Sequence, residues 1–585
     1  MDIEINGKND EVIKLEKFKN LKEIVNTRYT QFGEKIAFKE KNPKTRKFEN
    51  ITYKKLKEDI DSLGTVLINK FNLKGEKIAV IGQNSYRWFV TYMATICGVG
   101  VIVPLDKELP ANEILNLLKR SEAKCIVYAD RKADVIEIIK KDLPKDFIYI
   151  NMDKVKSDEG SFSFDQIVKE GNRLLKKDKS YVKIKIDQEE FRVLLFTSGT
   201  TGTPKGVMIS HKNLMANVIG AAQIVPAMKD YTSLSILPIH HTYECTADFL
   251  WLTSVGGTIG ICEGLKYVAK DMQDIKPDIL IAVPALIENL SKKIDKKITE
   301  TKKENLVKTA GKVASALSKI GIDFRRKIFK QIHESLGGNL KIIFCGAAPI
   351  DKEIIEKFEN YGIIFLQGFG STETAPFITG TRIKTRVAGT CGKAMYNTDV
   401  RIDLSQNENE SSNIGEVIVK GNNVMMGYYK MPEETKKTIK NGWLYTGDLG
   451  YFDVKGNLVL TGRSKNVIVT SNGKKIFPEE IETILNRLNL VEESFVYGAK
   501  DEKDNLELVV TARVRVNEKY LEEQFGKDNI PSDEEVYKML WNQIKQVNKT
   551  LVGYKAIKKL EIKKGEFAKT TTMKIKRFEE IKTKC

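Results

Sequence analysis

The chain has 585 residues, 41% hydrophobic and 30% charged, with 96 Lys and Arg against 78 Asp and Glu for a formal charge of +18. That length exceeds what one core organises, so two or more domains are expected, and the composition excludes a disordered, collagen-like or disulfide-dense chain. The excess charge is mostly lysine interleaved with acids along the whole length. It points to a solvated surface, with weak attraction to anionic membranes or polyphosphates; no basic stripe carries the base-stacking aromatics of a nucleic-acid binder.

Seven cysteines, an odd number without paired short spacings, fit neither a disulfide framework nor a zinc site, and four histidines leave little for a metal. The opening MDIEINGKND carries no apolar signal region, so a reducing cytoplasm is the expected compartment.

Short apolar, β-prone runs alternate with helical patterns: KIAVIG from Lys77, GVIVPL from Gly100, CIVYA from Cys125, VLLF from Val193, SILP from Ser235, ILIAVP from Ile279, KIIFCG from Lys341 and IIFLQG from Ile363. This alternation predicts an α/β fold: a large N-terminal domain, residues 1–462, of mainly parallel sheets flanked by helices. The uncharged stretch from Trp88 to Leu105 is long enough to suggest a membrane span. Gly98, Gly100 and Pro104 divide it instead into a buried helix, with Trp88, Tyr92 and Ile96 on one face, and a short strand.

The strand from Val193 empties into FTSGTTGTPKG, Phe196 to Gly206. Gly199, Gly202 and Gly206 let backbone N–H groups turn inward, the hydroxyls of Thr197, Ser198, Thr200, Thr201 and Thr203 add donors, and Lys205 adds charge. The spacing is not that of the G-x-x-x-x-G-K-[ST] loop, since Pro204 precedes Lys205 and Gly206 follows it. The loop is therefore directed at phosphate by composition, with a flexible polar turn as the alternative. Residues 291–335 are Lys-rich and helical in pattern, a solvated excursion without a chemical motif.

A second texture begins near residue 463. In FPEEIETILNRL, Pro478 suits a first helical position, Glu479 and Glu480 suit the first turn, and Ile481, Ile484, Leu485 and Leu488 form one apolar face; strand-like FVYG and LELVVTARV follow. Residues 463–585 are expected to form a small α+β C-terminal domain.

Nine motifs follow one another in order: FTSGTTGTPKG, LPIHHTYE at 237, CGAAP at 345, QGFGSTET at 367, GEVIVKGNNVMMGYY at 415, YTGDLG at 445, TGRSKN at 461, NGKKIFPEEIE at 472 and KTTTMKIKR at 569. Together they resemble the acyl-adenylate-forming (AMP-binding) superfamily over nearly the whole chain, and within it the long-chain fatty acyl-CoA synthetases. The resemblance implies an AMP-forming fatty acid–CoA ligase using ATP, Mg2+ and CoA. It places Thr197, Ser198, Gly199, Thr200, Thr201, Gly202, Thr203 and Lys205 over the β- and γ-phosphates, and Gly346, Ala347, Gly368 and Phe369 around adenine. Asp448, helped by Arg463, would accept the ribose hydroxyls, Glu373 would ligate magnesium and Thr372 would touch phosphate.

Taken singly, Glu373 is equally a surface carboxylate, Phe369 a core residue and Asp448 a turn-former. The family's L-P-x-x-H pattern puts its histidine, beside the acyl carboxylate, on His241, with His240 a packed neighbour. The lysine at the α-phosphate falls on Lys574, although Ala568, Thr571 and Met573 depart from the family endings and Lys569 and Lys576 lie nearby. The hinge of a mobile small domain falls on Lys465 and the thiol tunnel on Gly473. Three alternatives stay open: another carboxylic acid as substrate, an acyl carrier protein thiol as acceptor, and a nucleotide-binding protein without turnover. An insoluble acyl substrate also leaves room for peripheral membrane contact.

Overall fold

The computed structural model describes residues 2–5, 13–16, 18–197, 204–225, 230–300, a few positions between 307 and 314, then 323–405, 413–469, 474–500, 508–570 and 574–582. The fold is α/β, and its contacts group into two units. The first takes Met1–Ala347, Glu353–Val400 and Val419–Leu444; the second takes Ala348–Lys352, Arg401–Ile418 and Tyr445–Cys585. A division after residue 462 thus lies within the second unit.

The first unit holds two mixed sheets. One runs, edge to edge, Gly427–Tyr428, Lys205–Ser210, Phe191–Thr197, Val101–Leu105, Lys77–Ile81, Cys125–Tyr128, Ile148–Asn151 and Phe162–Ser163. It is parallel from Phe191–Thr197 onward and antiparallel toward Lys205–Ser210 and Gly427–Tyr428. The other runs Lys393–Ala394, Phe377–Gly380, Ile364–Gly370, Ile342–Cys345, Ile279–Ala282, Thr232–Ser235, Thr258–Ile261, Ile36–Lys41 and Phe48–Thr52, with parallel pairing through its middle. Central parallel strands are covered on both faces, which is why they read as continuous apolar runs.

The predicted strands are present with one displacement. In place of the SILP run the strand is Thr232–Ser235, sequence TSLS. Ser233 and Ser235 are buried, and Ser235 gives its hydroxyl to Glu244 Oε1 at 2.7 Å; a hydroxyl partnered in this way can occupy a central strand. The apolar Ile236 and Leu237 lie just past its end. The Trp88–Leu105 stretch is helix Tyr86–Ala94, a wider π-helical turn Thr95–Val99 and strand Val101–Leu105. Trp88 and Tyr92 stack with ring centroids 5.6 Å apart. Among the described residues no helix is long and apolar enough to cross a membrane.

The core of this unit centres on Phe38, Phe89 and Phe249, whose centroids lie 5.3–6.0 Å apart. Each is fully buried, which stabilises by about 2–3 kcal/mol per ring. In the second unit, helix Pro478–Leu485 does carry Pro at its start and ends before the predicted Leu488. It packs Ile481 and Leu485 onto strands Val491–Lys500, Leu508–Val516 and Lys559–Ile562, together with Leu540 and Ile544 of helix Asp533–Thr550. The latter helix is closed at its start by a Ser532/Glu535 capping box.

Candidate active site

Six residues of the loop expected to cover phosphate, Ser198, Gly199, Thr200, Thr201, Gly202 and Thr203, lie outside the described residues. Both feet of the loop are described and stand side by side, because Thr197 and Lys205 are register partners in antiparallel strands. Arg120 donates to the Pro204 carbonyl at 2.8 Å. Lys205 pairs with Glu434 Oε2 at 2.6 Å and lies 5.0 Å from the ring centre of Tyr428.

Tyr428 also donates its hydroxyl to Glu373 Oε1 at 3.0 Å. Glu373 sits in the 3-10 turn Thr372–Thr374, whose Ser371/Thr374 capping box fixes the entry. Asn217 donates to the Thr374 carbonyl at 2.9 Å and accepts from Phe377 N–H at 2.6 Å, while Asn423 donates to the Phe377 carbonyl at 2.7 Å. Two buried amides thus hold the GSTET turn from both sides, leaving Thr372 and Glu373 half-buried at its outer edge. Met425 N–H donates to the Glu373 carbonyl at 2.8 Å, so the segment carrying Tyr428 is tied to the turn by backbone as well.

Gly346 and Gly368 mark close approaches. A Cβ on Gly346 would stand 3.1 Å from the Tyr243 ring, and one on Gly368 would stand 2.6 Å from the Phe344 ring. Tyr243 is held there by donating to the carbonyls of Ala282 and Phe344 at 3.2 and 3.0 Å. Ala347 takes a left-handed φ of 74°, strain of about 1 kcal/mol in a residue that could have been glycine. Phe369 is 9% exposed, so most of its ring is already packed.

Phe344, with Phe377, Trp251, Ala247, Ile279 and Ile281, lines a small apolar pocket. His240, which lines a second small cavity with Tyr92 and Leu195, and His241 lie with ring centres 4.2 Å apart. His240 is buried and 3.7 Å from Asp106; burial first, then Lys107, drives its pKa down to about 3, so it is neutral. His241 is half-buried and starts the short helix Thr242–Glu244. One turn on, Glu244 and Asp248 are both fully buried; burial, and for Glu244 the neighbouring acid, holds both carboxyls well above the usual range.

In the second unit, Asp448 and Arg463 are register partners on adjacent antiparallel strands. Arg463 Nε donates to Asp448 Oδ1 at 2.9 Å, and Asp448 is buried. Lys574 belongs to the same electrostatic cluster: desolvation and then Arg463 lower its pKa to about 8, against the pull of Asp448. As a whole residue Lys574 is exposed, so the shift reflects crowding at the amine and not full burial. Its neighbours are committed elsewhere, Lys569 to Glu493 at 2.8 Å and Lys576 to Glu579 at 3.0 Å. Lys465 is exposed in the turn Ser464–Asn466, and Gly473 lies outside the described residues.

Three participants went unnamed in the sequence: Tyr243, Tyr428 and Glu434. The first two stand inside recognised motifs, LPIHHTYE and MMGYY, and membership of those motifs is the signal that could have singled them out. Glu434 had none, because its partner Lys205 is 229 positions away.

The AMP-binding enzyme pattern matches residues 25–429, and the AMP-binding enzyme C-terminal domain pattern matches residues 465–582. The chain is 28% identical over 480 residues to long-chain-fatty-acid–CoA ligase 5 of Rattus norvegicus, covering 77% of this chain and 69% of that protein. It is 26% identical over 556 residues to the chloroplastic long-chain-fatty-acid–acyl-carrier-protein ligase AEE15 of Arabidopsis thaliana, covering 84% and 76%. Among solved structures, an anthranilate CoA ligase in complex with anthranoyl-AMP superposes with a TM-score of 0.76 at 18% identity over 97% of both chains. A fatty acyl CoA synthetase of Mycobacterium tuberculosis superposes with a TM-score of 0.65 at 21% identity over 96% of this chain and 97% of that one. Since one family pattern spans more than half of its length, this chain belongs to the AMP-binding enzyme family.

Proposed function

We propose that the chain is an AMP-forming long-chain fatty acid–CoA ligase. The observation that carries this reading is the double duty of Phe344, whose ring packs against Gly368 of the expected adenine wall and also lines the apolar pocket. An acid whose tail enters that pocket brings its carboxylate to the nucleotide. As folded, the pocket has room for about one water molecule, so a long acyl chain extends it by turning out rings such as Trp251 or Phe377.

In the first step the carboxylate oxygen attacks the α-phosphorus in line, the bond to the bridging oxygen breaks, and pyrophosphate leaves; positioning and charge neutralisation are what such a reaction needs. Lys574 and Lys205 contribute cations, Thr372 a hydroxyl to phosphate, Asp448 with Arg463 the grip on ribose, and His241 a contact beside the acyl carboxylate. Glu373 suits magnesium: Tyr428 occupies one of its oxygens, and among the described residues no three His, Cys, Asp or Glu converge. Such a site takes a cation that arrives with phosphate oxygens, and when bound it neutralises charge on the leaving group. In the second step the thiol of CoA attacks the acyl carbon and AMP leaves, with the small domain moving about Lys465 and Gly473 lining the thiol's path.

The Arabidopsis relative's name supports a second reading of the acceptor, a carrier-protein thiol. Release of AMP and thioester, measured with short, medium and long fatty acids and with CoA or carrier protein, tests both. Long acids with CoA should be preferred. ATP binding without AMP release for any acid would instead mean a nucleotide-binding protein that does not turn over.

A further inference from the structure

Glu434, to which the reaction just described gives no part, stands between two lysines, one of which that reaction does use. Its Oε2 takes Lys205 at 2.6 Å and its Oε1 takes Lys437 at 2.8 Å. The lysine pair holds its carboxyl down at about 2, through hydrogen bonds from Lys205 first and Lys437 second. The helix that presents it, Pro432–Thr438, follows directly on strand Gly427–Tyr428, which pairs with the strand beginning at Lys205. Thr435 Oγ1 of that helix accepts from Tyr428 N–H at 2.9 Å, so the helix carrying Glu434 is tied to Tyr428 and through its strand to the foot of the loop.

We infer that Glu434 is a positioning residue that parks Lys205 in the nucleotide-free enzyme and yields it to the β- and γ-phosphates when triphosphate enters. The inference rests on the ligase reading above. Three features support it. The Lys205 side chain is only 17% exposed and that of Glu434 28% exposed, so the lysine is held at one place and does not sweep the solvent. Lys437 stays on Glu434 when Lys205 departs, so the carboxylate is never left unpaired. The pair is also partly solvated, and pairs of that kind are weak enough to be exchanged for a polyphosphate without a large cost.

Calorimetric titration of the full-length protein with pyrophosphate, a non-hydrolysable ATP analogue and AMP tests this, across the wild type, Glu434→Gln, Lys205→Met and the double variant. Glu434→Gln should tighten pyrophosphate and the ATP analogue about 3- to 10-fold, leave AMP unchanged, and lose that gain entirely in the Lys205→Met background. In turnover, the KM for ATP should fall with the KM for the fatty acid unmoved, and Glu434→Ala should behave as Glu434→Gln. A gain that persists without Lys205, equal changes for AMP and pyrophosphate, or a lower melting temperature with no change in affinity would each overturn the inference and leave the ligase reading intact. If the wild type binds none of the three probes, both fall together.

Discussion

Two lysines expected to meet the same nucleotide are prepared in opposite ways. Lys205, in the first unit, is matched with a carboxylate at 2.6 Å. Lys574, in the second, is crowded by protein atoms and by Arg463, with Asp448 as the opposing pull. A paired lysine is available only by exchange, so it suits binding and release of a polyanion. A crowded lysine gains most when a new negative charge arrives beside it, so it suits the step in which charge develops. Identical side chains are thereby given different electrostatic settings by their surroundings.

That contrast can be broken most directly at Lys574. Lys574→Ala should lower adenylate formation about 100- to 1000-fold while leaving thioester formation from supplied acyl-AMP nearly intact. Equal losses in the two half-reactions would assign Lys574 no special part in the first. The pH dependence sharpens the point. With a pKa lowered to about 8, Lys574 is charged below that pH and neutral above it, so adenylate formation should decline on the alkaline side, by about 10-fold at pH 9. Lys574→Arg should flatten that decline, and Asp448→Asn should shift it to lower pH because the carboxylate favours the charged amine. An alkaline limb unchanged in Lys574→Arg would transfer it to another group.

Smaller effects are expected in the first unit. Lys205→Met should raise the KM for ATP about 5- to 10-fold and keep the alkaline limb, seen in steady-state profiles from pH 6 to pH 10. Tyr428→Phe removes the hydroxyl from Glu373; a half-buried hydrogen bond to a charged group is worth about 1 kcal/mol here, so the magnesium concentration for half-maximal rate should rise about 3- to 5-fold. If Tyr428→Phe moved the fatty acid KM instead, the tyrosine would belong to the acyl side.

How far the sequence was legible follows from what each element requires locally. The strands at Lys77, Gly100, Cys125, Ile279 and Lys341 were readable because a strand covered on both faces has to be apolar throughout. TSLS at 232 was not, since its serines are acceptable only once Glu244 and the neighbouring strands surround them. Asp448 and Arg463 were both named from motifs, and their antiparallel register brings them together. Glu434 was invisible, as a glutamate in the first turn of helix Pro432–Thr438 announces nothing about a lysine 229 positions earlier.

By itself, then, the amino-acid order determined the alternation of strands and helices, the ordered motifs and the family, because those depend on periodicity and on short runs that local backbone chemistry demands. Only the tertiary structure decided which lysine is paired and which is crowded, that Phe344 packs against Gly368 and also lines the apolar pocket, and that Tyr428 bridges toward Glu373. Those properties depend on distances between residues far apart in the chain, and electrostatic and packing energies are functions of distance in space.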